Sequence, residues 1–566
     1  MNNFKKPIFQ ILLLIGALIL ALALRLIRLG VLPLTNMEAG IALQALAVGQ
    51  GVDTVFGEHI AYVGLTGLDF FIFEAGNFLA RFWPAIIGAM VVLIPFLFKD
   101  VIGDWAAGIL GIVLAVTPEM VSLSRIIGAP MIAFVSLFLA FGLIYKRKPV
   151  LSGVAFAFAL MGGSGFWTGI LLTGIGFVLG EVFLDFGILS KLKKRFSKRK
   201  FRVRFFTAWI LTIGVVGTGF FLSPEGLSGV FSGLVNFIRG FDASYTRPFL
   251  LRPLALIAYS LPAVLFGIWG GIRSILHNNK LDLFLSILAM LGLLYLLVYP
   301  GAQPADIIWV TLPLWALSAR VICSVWRLPE DNQLVMTGTA LVVVIVFAFL
   351  LLSLRSIINP GFVQDAQIVT LVALFGGFIL LIALILLVTY GWSEDVAISG
   401  LLIGLSFVAL FGMTAVTNRS TGLSTEEPAA LWYPDDPQLT IRWLKTSIDR
   451  VFEWNKRRSE PLEIVVVDLS TPGMQWALQE YEDTAFVLFL PPASQPGILI
   501  SDIMTQPEIS NSYRGQELVW TQNKQWQEMS AMQFLNWLIT REAPTASERI
   551  IFWVRTDLMP DEQFSQ

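Results

Sequence analysis

The sequence predicts a polytopic α-helical membrane protein with about 13 transmembrane helices, followed by a C-terminal α/β soluble domain. Three observations predict it. Of 566 residues, 56% are hydrophobic and only 14% charged, against about 25% charged in an ordinary soluble domain. Mean hydropathy is +0.74. The apolar residues fall in runs of roughly 18–25, the length that crosses a ~30 Å hydrocarbon layer. These runs stop near residue 415, which divides the chain into a transmembrane part, 1–415, and a soluble part, 416–566.

Spans are expected at about 8–29, 80–98, 104–119, 129–145, 150–164, 167–187, 205–222, 253–276, 281–299, 306–325, 333–353, 367–389 and 397–415. The first reads as a transmembrane helix rather than a signal peptide, because its apolar stretch is too long and no small-residue cleavage site follows. Around Gly162-Gly163-Ser164-Gly165 the reading is open between a tight turn joining two short spans and a break within one.

Lys and Arg in short loops set the orientation. Lys5 and Lys6 precede the first span, Lys146-Arg147-Lys148 follow the fourth, and nine basic residues with no acid lie between Lys191 and Arg204 in the 188–204 loop. Arg273, Lys280, Arg320 and Arg327 fall on the same side, which is therefore cytoplasmic. An odd number of spans puts the N-terminus in the cytoplasm and the soluble domain outside a plasma (inner) membrane. The charge split agrees. From Val416 onward there are 12 Lys/Arg and 21 Asp/Glu, net −9, while the preceding part carries 27 and 19, net +8. An acidic domain is not expected against an anionic cytoplasmic leaflet.

The first outer loop, 30–79, is long, and its stretch 36–50, NMEAGIALQALAVGQ, reads as an amphipathic helix at the membrane interface. In the soluble part, residues near 432–457 have helical spacing, with Leu439, Trp443, Ile448 and Phe452 on one side. LEIVVVDL, TAFVLFL, GILISD and ERIIFWVR are strand candidates, PGMQWALQEY a helix, and the alternation argues for a layered α/β domain. Its Trp and Tyr residues read as core rather than as a sugar platform.

Composition excludes several classes. The single cysteine, Cys323, lies in a span, so there is no intrachain disulfide framework and no Cys-based zinc site. With His59 and His277 as the only histidines, a His-rich metal centre is not expected. No strand of the soluble part leads into a glycine-rich phosphate loop, and no basic face marks a nucleic-acid partner.

Ionisable residues at membrane depth are costly and point to function. Here Arg25, Arg28, Glu38, His59, Asp69, Glu74, Arg81, Glu119, Arg125 and Asp306 gather at outer span ends. Acids and bases beside a hydrophobic groove suit a lipid-linked, phosphate-bearing donor, with arginine holding phosphate and a carboxylate acting as general base. Each has a plainer reading. Glu38 can be a solvated interfacial residue and Arg125 a snorkelling one; Arg81 can anchor the second span or pair with Glu74, and Asp306 can cap a helix. Arg239, Arg247 and Arg252 can meet head groups without selectivity.

Four stretches, in order, carry a family resemblance: PLTNMEAGIALQALAVGQG, FLARFWPAIIGAMVVLIP, TPEMVSLSRIIGAP and GAQPADIIWVTLPLWAL. The chain resembles the multi-span, C-type glycosyltransferases that use polyprenyl-phosphate sugars, protein mannosyltransferases among them. QWALQEYEDTAFV and FLNWLITREAPTASERIIFWVRTDL resemble the outer domain of a flippase-associated subgroup. The resemblance implies a membrane transferase taking sugar from a polyprenyl-phosphate donor to a glycan, lipid or protein acceptor at the outer membrane face, among membrane lipids. It implies Glu38 as catalytic base and Arg125, His59, Arg81, Asp306, Arg239 and Arg247 as substrate-binding residues. It leaves a divalent metal open as a cofactor, with no metal ligand assigned. Two departures stand out: Met37 occupies the place of the family's first-loop Asp, and Pro130 that of its second carboxylate. They keep open a catalytically inactive relative acting as a scaffold in glycan assembly. A lipid or solute transporter is a further alternative, disfavoured because the charges cluster at one face.

Overall fold

The computed structural model describes residues 5–243, 251–325, 332–358, 364–424, 430–432, 440–455, 462–491, 494–505, 512–526 and 528–559. Among them, nine helices are long and apolar enough to cross a membrane, and a bent pair, Asp104–Val116 with Pro118–Ser124, makes a tenth. The chain is a multi-pass membrane protein. The thirteen predicted spans all fall on helices; the other three are Met131–Tyr145, Pro149–Leu160 and Arg199–Gly217. The first two have 15 and 12 residues, short of the ~20 that a full crossing needs. The third begins in the basic segment, with Arg199, Lys200, Arg202 and Arg204 in its first turns.

Local chemistry sets the breaks. Pro118 has no N–H to continue the helix before it, and the axis bends by 55° there. The Gly162–Gly165 stretch is a turn: one helix ends at Leu160, and the next, Ser164–Leu184, starts after Gly163 at φ 94°, ψ −159°, a conformation open essentially to glycine. The helix Leu251–Leu276 is interrupted at Ser260 (φ −131°, ψ 30°), two residues before Pro262. The first loop holds the expected helix Asn36–Gln50 and an unexpected apolar one, Ile60–Ile72. At 13 residues the latter is too short to register as a span. It packs on Arg199–Gly217 so closely that a Cβ on Gly64 would meet the Val216 carbonyl oxygen.

The soluble part is a five-stranded mixed sheet of order β2-β1-β3-β5-β4. Here β1 is Ile464–Val467, β2 Thr484–Val487, β3 Ile498–Asp502, β4 Tyr513–Lys524 and β5 Thr545–Arg555. β1 lies parallel to β2 and β3; β5 runs antiparallel to β3 and β4. Central β1 is buried at all four positions, which is why it reads as an unbroken apolar run. The helix Ile441–Asn455 covers one face with Ile441, Leu444, Ile448 and Val451. Of the face expected from the sequence, Ile448 and Phe452 do pack on this core, Trp443 is 69% exposed, and Leu439 lies outside the described residues.

The soluble part docks on one end of the helical bundle through two helices. From Pro472–Leu478, Trp476 Nε1 donates to Asn77 Oδ1 (2.8 Å), and the Gly473 N–H donates to Asn36 Oδ1 (3.1 Å). Just past Ala531–Thr540, Arg541 donates to the Ala258 carbonyl at 2.6 Å and stacks over Tyr259 and Trp537. Trp537 is fully buried there, and the Tyr259 and Trp432 rings sit 3.9 Å apart. The tail aromatics at this contact are core. At the opposite end of the bundle, Arg195 reaches the Ile144 and Tyr145 carbonyls, and Arg320 pairs with Asp282.

Candidate active site

The docked end of the bundle is built around Glu38. Thr35 and Glu38 form a capping box at the start of Asn36–Gln50: the Glu38 N–H donates to Thr35 Oγ1 (3.2 Å), and the Thr35 N–H donates to Glu38 Oε2 (3.1 Å). Arg81 binds the same carboxylate with two nitrogens, Nε to Oε1 at 2.9 Å and Nη2 to Oε2 at 2.6 Å. The Ile127 N–H adds a bond to Oε1 at 3.1 Å. Glu38 is fully buried and Arg81 is 3% exposed, so this carboxylate is held by four donors with no face toward solvent. Arg81 also donates to the Leu32 and Pro33 carbonyls, tying the loop ahead of the helix to the second span. Its carboxylate partner is Glu38 rather than Glu74.

Two further arginines cap helices. Arg125 is buried and donates to the carbonyls of Leu24, Arg25, Ile27 and Arg28, the last turn of the first helix and its exit. Arg25 reaches back to the Leu114 and Ala115 carbonyls and to Ser124 Oγ. Cations at helix C-termini satisfy leftover carbonyls and complement the helix dipole. Asp306 likewise accepts from the Gln303 N–H at 2.8 Å and caps the turn Pro304–Ile307. Arg252 beside it donates to the Tyr299 and Pro300 carbonyls.

His59 lies elsewhere, partly exposed, among neighbours the sequence did not single out. Glu58 and His59 sit side by side, with carboxylate and imidazole 3.8 Å apart and side chains less than a fifth exposed. The second Glu58 oxygen accepts the Ser164 N–H at 2.7 Å, at the start of Ser164–Leu184. Two left-handed glycines close in: a Cβ at Gly163 would lie 3.1 Å from the His59 ring and 3.2 Å from Glu58 Cγ, and one at Gly128 would lie 3.6 Å from His59 Nε2 and 3.5 Å from Met37 Cε. Met37, in the place of the resembled family's Asp, thus faces His59 across the bare backbone of Gly128, and Glu58 lies on the far side of His59, against Gly163. Pro130 lies behind them, against Gly165.

The Tyr299 phenol donates to the Phe237 carbonyl at 2.6 Å. The helix Ser232–Arg239 packs through Gly233 onto Gly163 and ends at exposed Arg239; Arg247 lies outside the described residues. Of the residues expected at the site, the fold therefore gathers Glu38 with Arg81, sets His59 beside Glu58, and leaves Arg125 and Asp306 bonded to backbone. Glu58 was legible only as a neighbour of His59.

The described residues do not fit a divalent metal: among them Glu58 and His59 alone offer donors at this point, and no three His, Cys, Asp or Glu side chains gather as a metal site.

No family model and no curated protein matches the chain. Solved structures do. ArnT from Cupriavidus metallidurans bound to undecaprenyl phosphate superposes with a TM-score of 0.52 at 14% identity, over 98% of this chain and 99% of that one. Its apo form gives 0.49 at 14% identity over the same shares. The archaeal oligosaccharyltransferase AglB from Archaeoglobus fulgidus, in complex with an inhibitory peptide and a dolichol-phosphate, gives 0.44 at 13% identity, over 89% of this chain and 70% of that one. At such identity the likeness is one of fold, and the first match extends over nearly the whole of both chains: this protein has the fold of the C-type, polyprenyl-phosphate-dependent glycosyltransferases.

Proposed function

We propose that this protein is a membrane glycosyltransferase that takes sugar from a polyprenyl-phosphate donor to an acceptor hydroxyl at the extracytoplasmic face of the plasma membrane. The observation that carries the reading is the whole-length fold match to a protein holding undecaprenyl phosphate. The convergence of Glu58, His59 and Met37 at the docked end of the bundle supports it. The basic 188–204 segment supports the orientation.

In this reading Glu58, not Glu38, is the general base, because Glu58 keeps some exposure while Glu38 is enclosed by four donors. The acceptor oxygen bonds to the anomeric carbon as its proton passes to Glu58. The bond from that carbon to the phosphate oxygen breaks, and polyprenyl phosphate leaves with the electron pair. His59 and Arg239 hold the phosphate, and the Glu38–Arg81 pair fixes the helix that carries Met37. The test is sugar transfer from a polyprenyl-phosphate hexose by the purified protein in nanodiscs; absence of transfer across hexose donors and hydroxyl acceptors overturns the reading.

Met37 and Pro130, standing where the resembled family has carboxylates, favour a second reading: a scaffold that binds lipid-linked sugar without turnover. Any turnover eliminates it.

A further inference from the structure

The docking of the soluble part on the Asn36–Gln50 helix leaves an open cleft of about 680 Å³, within the ~300–1,000 Å³ typical of small-ligand sites. Leu43 and Pro472 line its apolar portion; Gln44, Asp53, Glu225 and Gln475 supply its polar groups. It adjoins the Glu58–His59 site. Gln44 Oε1 accepts the Gly57 N–H at 3.1 Å, one residue before Glu58, and Phe56 packs near Gly226, next to Glu225. Both parts of the chain build it, since Gln475 and Pro472 come from the soluble part and Gln44 from the bundle.

We propose that this cleft binds the acceptor and that the acceptor is an uncharged glycan chain. The inference rests on the transferase reading for the word acceptor, but the binding itself is independent of it. Carboxylates accept hydrogen bonds from sugar hydroxyls, and amides both donate and accept; with its oxygen engaged by Gly57, Gln44 keeps its NH₂ as a donor. The apolar portion suits the C–H faces of sugar rings. Among the described residues its lining includes two acids and no Lys or Arg, so an anionic acceptor would face like charge there. The net −9 of residues 416–566 adds to that discrimination. Asp53 and Glu225 are both exposed, and exposed carboxylates draw little affinity from a cation, so the hydroxyl pattern decides the ligand.

The experiment is ligand-observed NMR on the full chain in nanodiscs, with maltotetraose, tetragalacturonate and fully deacetylated chitotetraose as neutral, anionic and cationic probes. The neutral probe is expected to bind and the anionic one not to. Gln475→Ala and Asp53→Asn, both at accessible positions, should each weaken the neutral probe by about tenfold at unchanged melting temperature. Binding unaffected by either variant, tighter binding of the anionic or cationic probe, or no binding of the neutral one overturns the proposal. Neutral binding with no sugar transfer from any polyprenyl-phosphate donor would instead sink the transferase reading and leave this cleft assigned. Transfer without variant-sensitive glycan binding would do the reverse.

Discussion

Arg541 donates to the carbonyl oxygen of Ala258 at 2.6 Å, and that carbonyl is the one Pro262, four residues on and without an N–H, leaves over in the membrane helix. The soluble part thus satisfies a break in the bundle. The guanidinium also stacks on Tyr259 and Trp537, at 5.1 and 4.8 Å from the ring centroids. A bond from a charged donor and two cation–π contacts together make Arg541→Ala cost roughly 2–4 kcal/mol at this contact. Hydrogen exchange should report it as faster exchange across 430–432 and 531–540. Arg541→Lys should restore little, because a point charge does not stack like the planar fork. Wild-type protection in the Ala variant would show that the docking is held elsewhere.

The Glu38–Arg81 pair makes a different prediction. Both groups are enclosed, so removing the cation leaves a buried carboxylate with three of its carbonyl-side tethers lost as well. Arg81→Met should destabilise the protein by about 3–5 kcal/mol, and Glu38→Gln should destabilise it as well, because the amide keeps one of the two oxygens and turns its NH₂ toward either the Thr35 or the Ile127 N–H, donor against donor. Thermal unfolding followed by tryptophan fluorescence measures both. If Glu38→Gln abolishes sugar transfer while its melting temperature stays at the wild-type value, Glu38 acts in the chemistry and the assignment of Glu58 falls.

These relationships also mark how far the sequence could be read. Run length located the long helices, and the pattern of NMEAGIALQALAVGQ located Asn36–Gln50, whose start the structure shows to be set by the Thr35–Glu38 capping box. Ile60–Ile72 escaped because an apolar run of 13 residues satisfies neither a span nor a surface helix pattern. β4, the longest strand, escaped because it is an edge strand exposed along much of its length, with little apolar alternation. Trp443 lies outside the core because the core stripe follows the 3–4 spacing of Ile441, Leu444, Ile448 and Val451, and a large aromatic alone does not fix a helix face. Arg81 pairs with a carboxylate 43 residues away rather than with Glu74, its near neighbour in sequence, because only the fold brings Glu38 to it. Glu58 carries no local signature; only the fold brings it to Ser164 and Gly163.

Tyr481 gives the soluble part an alkaline limit. Its phenol donates to Asp449 Oδ1 at 2.8 Å, and burial, then that carboxylate, raises it above its ordinary value near 10. A group whose pKa is raised on folding contributes stability that is fully present below the unfolded value and lost as pH rises toward the folded one. Stability should therefore fall from pH ~10 upward, and Tyr481→Phe should lessen that fall while costing some stability at neutral pH. Unfolding measured from pH 8 to 11.5 decides the matter; identical slopes for the two proteins would remove Tyr481 from the account.

The assignment of Glu58 is tested most sharply by two variants that fail differently. Glu58→Gln keeps an oxygen to accept the Ser164 N–H but cannot take a proton, so transfer should drop by about 10²–10⁴ with the melting temperature nearly unchanged. Gly163→Ala keeps the carboxylate but forces a side chain into φ 94°, ψ −159°, at ~1–3 kcal/mol, and sets its Cβ 3.1 Å from the His59 ring and 3.2 Å from Glu58 Cγ. That variant should lose stability and activity together, by moving Glu58 and His59 off their positions. The two effects separate chemistry from placement. A slow but fully stable Glu58→Gln protein is what a base requires. If its transfer rate equals wild type while Gly163→Ala is impaired, Glu58 serves only to cap Ser164–Leu184, and the proton must go to another group.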